Sequence, residues 1–244
     1  MPVYVFKYGY ANTYLIEDGD SFAAVDVGTF TAAEKIYEYL RGRSADTSSL
    51  RMVTATHFHV DHIGGISRLI RLFPEARVFF YVKIGDYIMR KDKICLFSFF
   101  NWIKELPPIL NACDNHRKNI PAALKSNWAA IPIPLLRKHL LSLLKVYCIL
   151  DEGRPIPYLA NWKLIKTPGH TNDSICFYNR REQALITGDT ILNMEGSGEL
   201  NKFCCDCDSI QESFQVLSGL KIKKMYPGHG DPLPYIDGIG DVLK

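Results

Sequence analysis

The chain has 244 residues, of which 47% are hydrophobic and 23% are charged. This length and composition predict a globular protein with a sizeable buried core. The formal net charge of +3 is too small for a protein that tracks phosphates with many Lys and Arg side chains, so nucleic-acid binding is not expected. No uninterrupted apolar run reaches the ~18 residues of a membrane-spanning helix.

The cysteines and the first residues favour a cytoplasmic protein. Seven cysteines without regular spacing are typical of reduced thiols rather than of a disulfide framework. The first residues lack the basic and apolar regions of a signal peptide. We therefore predict a cytoplasmic location and no transmembrane segment.

The apolar spacing of the N-terminal third predicts strands followed by alternating helices and strands. Short apolar runs between Val3 and Asp26 are separated by glycine-containing turns, which indicates antiparallel strands. Helical spacing covers 32–40 and resumes after Gly64 and Gly65. Strands are predicted at 51–56, before the second helix, and at 77–82, after it.

Residues 84–150 interrupt this alternation. They are rich in aromatic, leucine and basic residues, and their proline-punctuated spacing predicts a helical insertion. We predict one domain over 1–244. Its insertion is a lid against an apolar acyl or ring portion of a substrate, a homodimer contact, or an ordinary helical pair packed on the rest of the domain. Beyond it, strands are predicted at 162–166, 174–178, 183–187 and 221–226, with a helix at 209–217 whose N-cap is Ser209.

Four residues of metal-ligand type fall within one short motif at the end of a predicted strand. These are His57, His59, Asp61 and His62. Residues two apart in an extended segment face the same side, so His57 and His59 can converge on one ion. Asp61 and His62 follow a turn and can reach a neighbouring ion. The spacing therefore predicts two adjacent metal sites.

Three further candidates lie in glycine-containing loops after predicted strands. His170 follows Gly169, Asp189 follows Gly188, and His229 lies between two glycines. Imidazole and carboxylate ligands suit borderline divalent ions, with Zn²⁺ as our first choice and Fe²⁺ or Mn²⁺ as alternatives.

The H-x-H-x-D-H motif, followed in order by the three later candidates, resembles the metallo-β-lactamase superfamily and, within it, the glyoxalase II, lactonase and thioesterase branch. Segments 12–16 and 24–28 match as well. The resemblance implies a four-layer αββα sandwich of the α/β class. It also implies two divalent metal ions with these ligands: His57, His59 and His170 on the first, Asp61, His62 and His229 on the second, and Asp189 bridging both. Asp26 would be a carboxylate that orients a ligand.

The resemblance further implies an enzyme that uses a metal-bridging hydroxide to cleave a thioester, ester or lactone of a small molecule. Asp61 would be its catalytic residue, orienting the hydroxide or passing a proton to the leaving group. Two alternatives stay open. One is a mononuclear iron sulfur dioxygenase with the same motif, and the other is a non-catalytic signalling module that keeps the metal pocket.

Individual residues narrow the choice among the branches of the superfamily that this chain resembles. His59 stands where oxygen-reducing diiron members carry glutamate, and Asp189 stands where one subclass of zinc β-lactamases carries cysteine. The chain after Gly230 is too short for the glutathione-binding region of glyoxalase II. The stretch Cys204-Cys205-Asp206-Cys207 lacks a second cysteine pair at zinc-ribbon spacing, so we predict no functional thiol site there.

Overall fold

A computed structural model describes residues 1–43, 46–88, 147–194, 196, 198–233, 236 and 239. Its largest sheet contains β1 (Val3–Phe6), β2 (Thr13–Asp18), β3 (Ser21–Val25), β4 (Leu50–Thr54), β5 (Arg77–Tyr81) and β6 (Tyr147–Leu150). The strands follow one another across the sheet in chain order. Strands β1, β2 and β3 pair antiparallel, whereas β3 to β6 pair parallel.

The second sheet consists of four strands from the C-terminal half: β7 (Trp162–Lys166), β8 (Ile175–Asn179), β9 (Ala184–Gly188) and β12 (Lys224–Pro227). Their order is β12-β9-β8-β7, with β12 parallel to β9 and the other pairs antiparallel. A small two-stranded sheet joins β10 (Ile191–Leu192) to β11 (Glu199–Leu200). The sequence pattern did not predict this pair.

The helices are α1 (Phe30–Gly42), α2 (Val60–Ile63), α3 (Ile66–Leu72), α4 (Val82–Ile88) and α5 (Cys207–Ser218), with a 3₁₀ turn at Thr47–Ser49. Thr29 caps α1 by accepting a hydrogen bond from the Ala32 amide. The predicted N-cap Ser209 is wrong. Asp206 caps α5 instead, because its side chain accepts from the amides of Asp208 and Ser209.

Three apolar clusters separate four layers. The two sheets enclose one cluster, to which Tyr14 and Ile16 of β2 and Phe177 of β8 contribute. Leu15, between the two β2 residues, points to the opposite face, where it packs in the cluster of α1 and α3. A third cluster covers the outer face of the second sheet with residues such as Leu217 of α5. The predicted αββα sandwich is therefore confirmed.

Most of the predicted insertion 84–150 lies outside the described residues. Its first residues belong to α4, but its last four form β6, which pairs with β5 in the first sheet. The helical prediction is wrong for residues 147–150. They form a strand because they pair with β5, which is remote in sequence and leaves no local pattern.

Within the described part of the chain, no helix has the length and apolar character that crossing a bilayer requires.

The cysteines do not all remain reduced thiols, contrary to the sequence prediction. Cys204 and Cys207 form a disulfide with their Cα atoms 5.2 Å apart, a separation within the normal range. Cys205 is disulfide-bonded as well, while Cys148 and Cys176 are free. The cytoplasmic location stays a prediction.

Candidate metal centre

All seven predicted ligands lie together at one edge of the two sheets. His57 and His59 follow β4, and His170 follows β7. Asp189 comes directly after β9, and His229 follows β12. Strands β7, β9 and β12 run in the same direction, so their carboxyl ends meet at this edge. Side chains from distant parts of the sequence thus converge on loops held by a rigid framework.

The first group contains His57, His59 and His170, together with Asp189. His59 Nδ1 lies 2.9 Å from His57 Nε2 and 3.2 Å from His170 Nε2. The ligand atoms of the whole group lie within 4.8 Å of one another, and three of its four residues are buried. This arrangement can surround one small cation.

The second group contains Asp61, His62 and His229. Asp61 Oδ2 lies 3.7 Å from His62 Nε2 and 3.5 Å from His229 Nε2. Asp61 and His62 belong to the short helix α2, which starts directly after His59. A short helix stands where the sequence predicted a turn between the two halves of the motif, and it places the His62 ring 4.2 Å from the His57 ring, centroid to centroid.

Asp189 contacts both groups. Its Oδ2 lies 3.4 Å from His170 Nε2 and 3.2 Å from His229 Nε2, and its Oδ1 lies 3.3 Å from His62 Nε2. A carboxylate in this position can offer one oxygen to each of two neighbouring cations.

Burial and the carboxylates give the histidines different proton affinities. Burial lowers the pKa of His57 well below its usual value and lowers that of His170 to about 4. Burial opposes protonation of His62 and His229 too, but Asp189 and other carboxylates raise the pKa of both. His57 and His170 are therefore neutral at pH 7, the form in which imidazole binds a metal.

The ring nitrogens that face away from the site are held by outer partners. His170 Nδ1 donates to the Phe203 carbonyl at 2.7 Å, and His229 Nδ1 donates to the Tyr10 carbonyl at 3.1 Å. His57 Nδ1 lies 3.1 Å from Thr56 Oγ1. Each contact leaves the opposite nitrogen directed into the site, as in protein metal centres where outer hydrogen bonds fix the tautomer.

Asp26 connects the end of β3 to both halves of the motif. Its buried carboxylate accepts hydrogen bonds from the Thr56 amide at 2.7 Å and the Thr56 hydroxyl at 2.9 Å. Its Oδ2 also lies 3.0 Å from His62 Nδ1. Asp26 has a φ of +57°, a conformation that Asp and Asn tolerate better than most residues. These contacts match the orienting position that the resemblance implied for Asp26.

Close backbone packing brings Asp61 to the site. A Cβ atom added to Gly28 would lie 1.7 Å from the Asp61 carbonyl oxygen, so only glycine fits there.

Asn12 holds the turn after β12. Its side-chain amide donates to the carbonyls of Pro227 and Gly230, at 3.0 and 2.7 Å. Those two bonds hold the turn that carries His229.

The polar atoms inside the cluster fit divalent cations. His62 Nε2 and Asp189 Oδ1 are buried, and no hydrogen bond of normal geometry within the described residues satisfies either. Leaving such groups unpaired is costly, and a cation would satisfy both. Nitrogen and oxygen donors without thiolate suit Zn²⁺, Fe²⁺ or Mn²⁺.

Sequence reasoning missed several outer partners. Asp173 is buried and accepts a hydrogen bond from the Phe58 amide at 2.7 Å, which fixes the loop between His57 and His59. Asn201 donates to the Asp189 carbonyl at 2.9 Å. Their polar side chains carry no spacing signal, because each partner lies far away in sequence.

Comparisons with known proteins agree with this geometry. Residues 7–229 match the family model of the metallo-beta-lactamase superfamily. The chain is 25% identical to the probable metallo-hydrolase YflN of Bacillus subtilis, covering 91% of this chain and 81% of that protein. It is 25% identical to an atrochrysone carboxyl ACP thioesterase of Aspergillus fumigatus, covering 90% of this chain and 50% of the thioesterase. The crystal structure of TTHA1623 in a di-iron-bound form superposes with a TM-score of 0.57 at 19% identity, covering 95% of this chain and 93% of that one.

Proposed function

The chain belongs to the metallo-beta-lactamase superfamily, and on that premise we propose that it is a binuclear metallo-hydrolase acting on a thioester, ester or lactone of a small molecule. The observation that carries the proposal is the pair of adjacent ligand groups with Asp189 in contact with both. Seven candidate ligand side chains lie together, which exceeds what one four-coordinate ion uses.

In this proposal the three imidazoles of His57, His59 and His170 hold one ion, and Asp61, His62 and His229 hold the other. When bound, such ions lower the pKa of a coordinated water and polarise the substrate carbonyl. Zn²⁺ is our first choice, and the di-iron form of TTHA1623 keeps iron as an alternative.

Asp61 is the proposed catalytic residue. It is the partly exposed acid of the cluster, with 11% of its side chain accessible, whereas Asp189 is 8% and Asp26 is 0% accessible. A carboxylate at the solvent side of the site can orient the attacking water and pass its proton to the leaving group. Asp26 and Thr56 are buried, and we assign them the role of positioning His62 and His57.

Two observations support the substrate class. Relatives of similar sequence include a protein named as a thioesterase, and the two ligand groups within the described residues consist of histidines and aspartates, which can bind ions that activate water. Attack by an activated water on an acyl carbon therefore suits the site. The predicted apolar acyl or ring portion of the substrate would contact the insertion 84–150. The predicted homodimer contact would use the same insertion, most of which lies outside the described residues.

The test combines metal analysis with turnover. Protein purified without added metal is analysed by mass spectrometry, and hydrolysis is measured on a panel of thioesters, esters and lactones. We expect about two ions per chain and turnover of at least one panel member. His59→Ala should lose metal and hydrolysis while keeping the circular dichroism spectrum of the parent. His116 belongs to the insertion, outside the described residues, and has no ligand-type neighbours in sequence, so His116→Ala should keep its metal.

Other results would favour the alternatives. A single iron per chain with oxygen uptake and no hydrolysis would replace the proposal with the sulfur dioxygenase. Full metal content with no hydrolysis across the panel, and a binding phenotype indifferent to His59→Ala, would favour the signalling module.

A further inference from the structure

A disulfide lies beside the candidate metal centre, and the proposed hydrolysis does not use it. It joins Cys204 and Cys207, whose Cα atoms are 5.2 Å apart. Cys207 is the first residue of α5 and is exposed, and Cys204 is half-buried. Small thiols dissolved in water can therefore reach the bond, unlike the fully buried thiol of Cys176.

The same segment holds the loop that carries His170. The amides of Cys205 and Asp206, which lie inside the disulfide ring, both donate to the Gly169 carbonyl at 2.7 and 3.0 Å. Phe203, one residue before the ring, accepts the hydrogen bond from His170 Nδ1. Three consecutive contacts thus connect the cysteine segment to His170 and the residue before it.

The start of α5 packs tightly on this loop. A Cβ atom added to Gly169 would lie 2.4 Å from the backbone nitrogen of Ile210, so no space separates them. The Asp206 cap bonds to the amides of Asp208 and Ser209 do not involve the cysteines. Opening the Cys204–Cys207 disulfide would therefore leave α5 capped while removing one of the two disulfide restraints on this backbone, the other being at Cys205.

We propose that Cys204 and Cys207 form a reversible thiol–disulfide site whose oxidised state fixes the His170 loop and whose reduced state loosens it. The reductant is a low-molecular-weight thiol. A short closed ring restricts the backbone that it contains. When the ring opens, the amides of Cys205 and Asp206 have more conformations available and spend less time bonded to Gly169.

The exchange is balanced in two steps. The thiolate of the first reductant molecule attacks the Sγ of Cys207, the protein S–S bond breaks, and Cys204 leaves as a thiolate that takes up a proton. A second reductant thiolate then attacks the sulfur of the first, so Cys207 leaves and is protonated. The protein gains two electrons and two protons, and the two thiols are oxidised to their disulfide.

The test measures the thiols and the backbone separately from catalysis. The metal-free full-length chain is equilibrated in buffers of varied reduced-to-oxidised glutathione ratio, alkylated, and digested for mass spectrometry. We expect the peptide containing Cys204 and Cys207 to pass reversibly from no alkylation of this pair to alkylation of both. Hydrogen exchange at the Cys205 and Asp206 amides should become about tenfold faster on reduction, the change expected from the loss of one ordinary hydrogen bond.

Matched variants complete the design. Cys204→Ser/Cys207→Ser should show the fast exchange without any reductant, and Cys148→Ser should behave as the parent chain. Two unpaired thiols under fully oxidising conditions would overturn the assignment of the site. A pair that forms and opens while amide exchange stays constant would overturn its connection to the His170 loop.

A third measurement depends on the proposed function. If His170 binds zinc, the serine pair variant should bind zinc about tenfold more weakly than the Cys148→Ser variant, because an outer partner of a ligand has been loosened. If the thiol and exchange results hold but neither protein binds metal, the proposed function fails and the redox site stands.

Discussion

Replacing Asp26 by asparagine changes one atom at the point where the first sheet meets the motif. The substituted side chain keeps its shape, and asparagine tolerates the φ of +57° that this position requires. The amide oxygen can still accept from the Thr56 amide. An uncharged NH₂ group in the place of Oδ2 cannot accept from the Thr56 hydroxyl, and it removes the ion pair with His62 Nδ1, which lies 3.0 Å from that oxygen.

The magnitude follows from the contacts that are lost. Removing an outer partner of a metal-binding histidine weakens metal binding by about 10- to 100-fold, which corresponds to about 1.4–2.7 kcal/mol. Losing the buried ion pair with His62 would also lower the free energy of unfolding, because a buried charge is left without its partner. Asp26→Ala should cost more stability, because the Thr56 amide loses its acceptor as well and alanine disfavours the positive φ.

The assay is a competition titration with a coloured zinc chelator, run beside urea unfolding of the metal-free protein. Asp20→Asn is the matched control, since it also removes a carboxylate but from an exposed turn, and its zinc affinity should equal that of the parent. A folded Asp26→Asn protein with unchanged zinc affinity would refute the idea that Asp26 orients His62.

Three further predictions concern the surroundings of the site. Asn12→Ala should lower the free energy of unfolding by about 1–3 kcal/mol, because the Gly230 carbonyl loses its side-chain donor and the Pro227 carbonyl loses one of two, the other being Tyr14. A urea midpoint equal to that of the parent would contradict this. Gly169→Ala should cost about 1–3 kcal/mol, since its φ is +136° and α5 occupies the space of the new methyl group. Gly42→Ala, in the last turn of α1, meets nothing within 4 Å and should not lower the free energy of unfolding, because alanine favours helix more than glycine does. Metal binding near pH 7 should release protons from His62 and His229, because carboxylates raise the pKa of both. Metal affinity should therefore increase with pH. Calorimetry in buffers of different ionisation enthalpy measures the proton release, and a binding heat that does not depend on the buffer would exclude that release.

Local pattern was enough to predict most elements and the candidate ligands. Alternation of apolar residues places Tyr14 and Ile16 on one face of β2 and Leu15 on the other, and such period-two spacing is visible in sequence. His57 and His59 are two residues apart at the end of a strand, so their convergence also follows from local geometry. The four layers followed from the resemblance that these motifs carry.

Contacts between distant segments were decided only by the tertiary structure. The pairing of β6 with β5, the contact of Asp189 with both ligand groups and the approach of Asp26 to His62 each join residues whose separation in sequence gives no periodic signal. The Phe203 carbonyl is a backbone group, which no residue type reveals. The cysteines show that sequence is insufficient at short range too. The spacing of Cys204 and Cys207 is visible in the sequence, but the turn before α5 is what brings them close enough to bond. Sequence determines which chemical groups are available, whereas packing of the two sheets determines which of them meet.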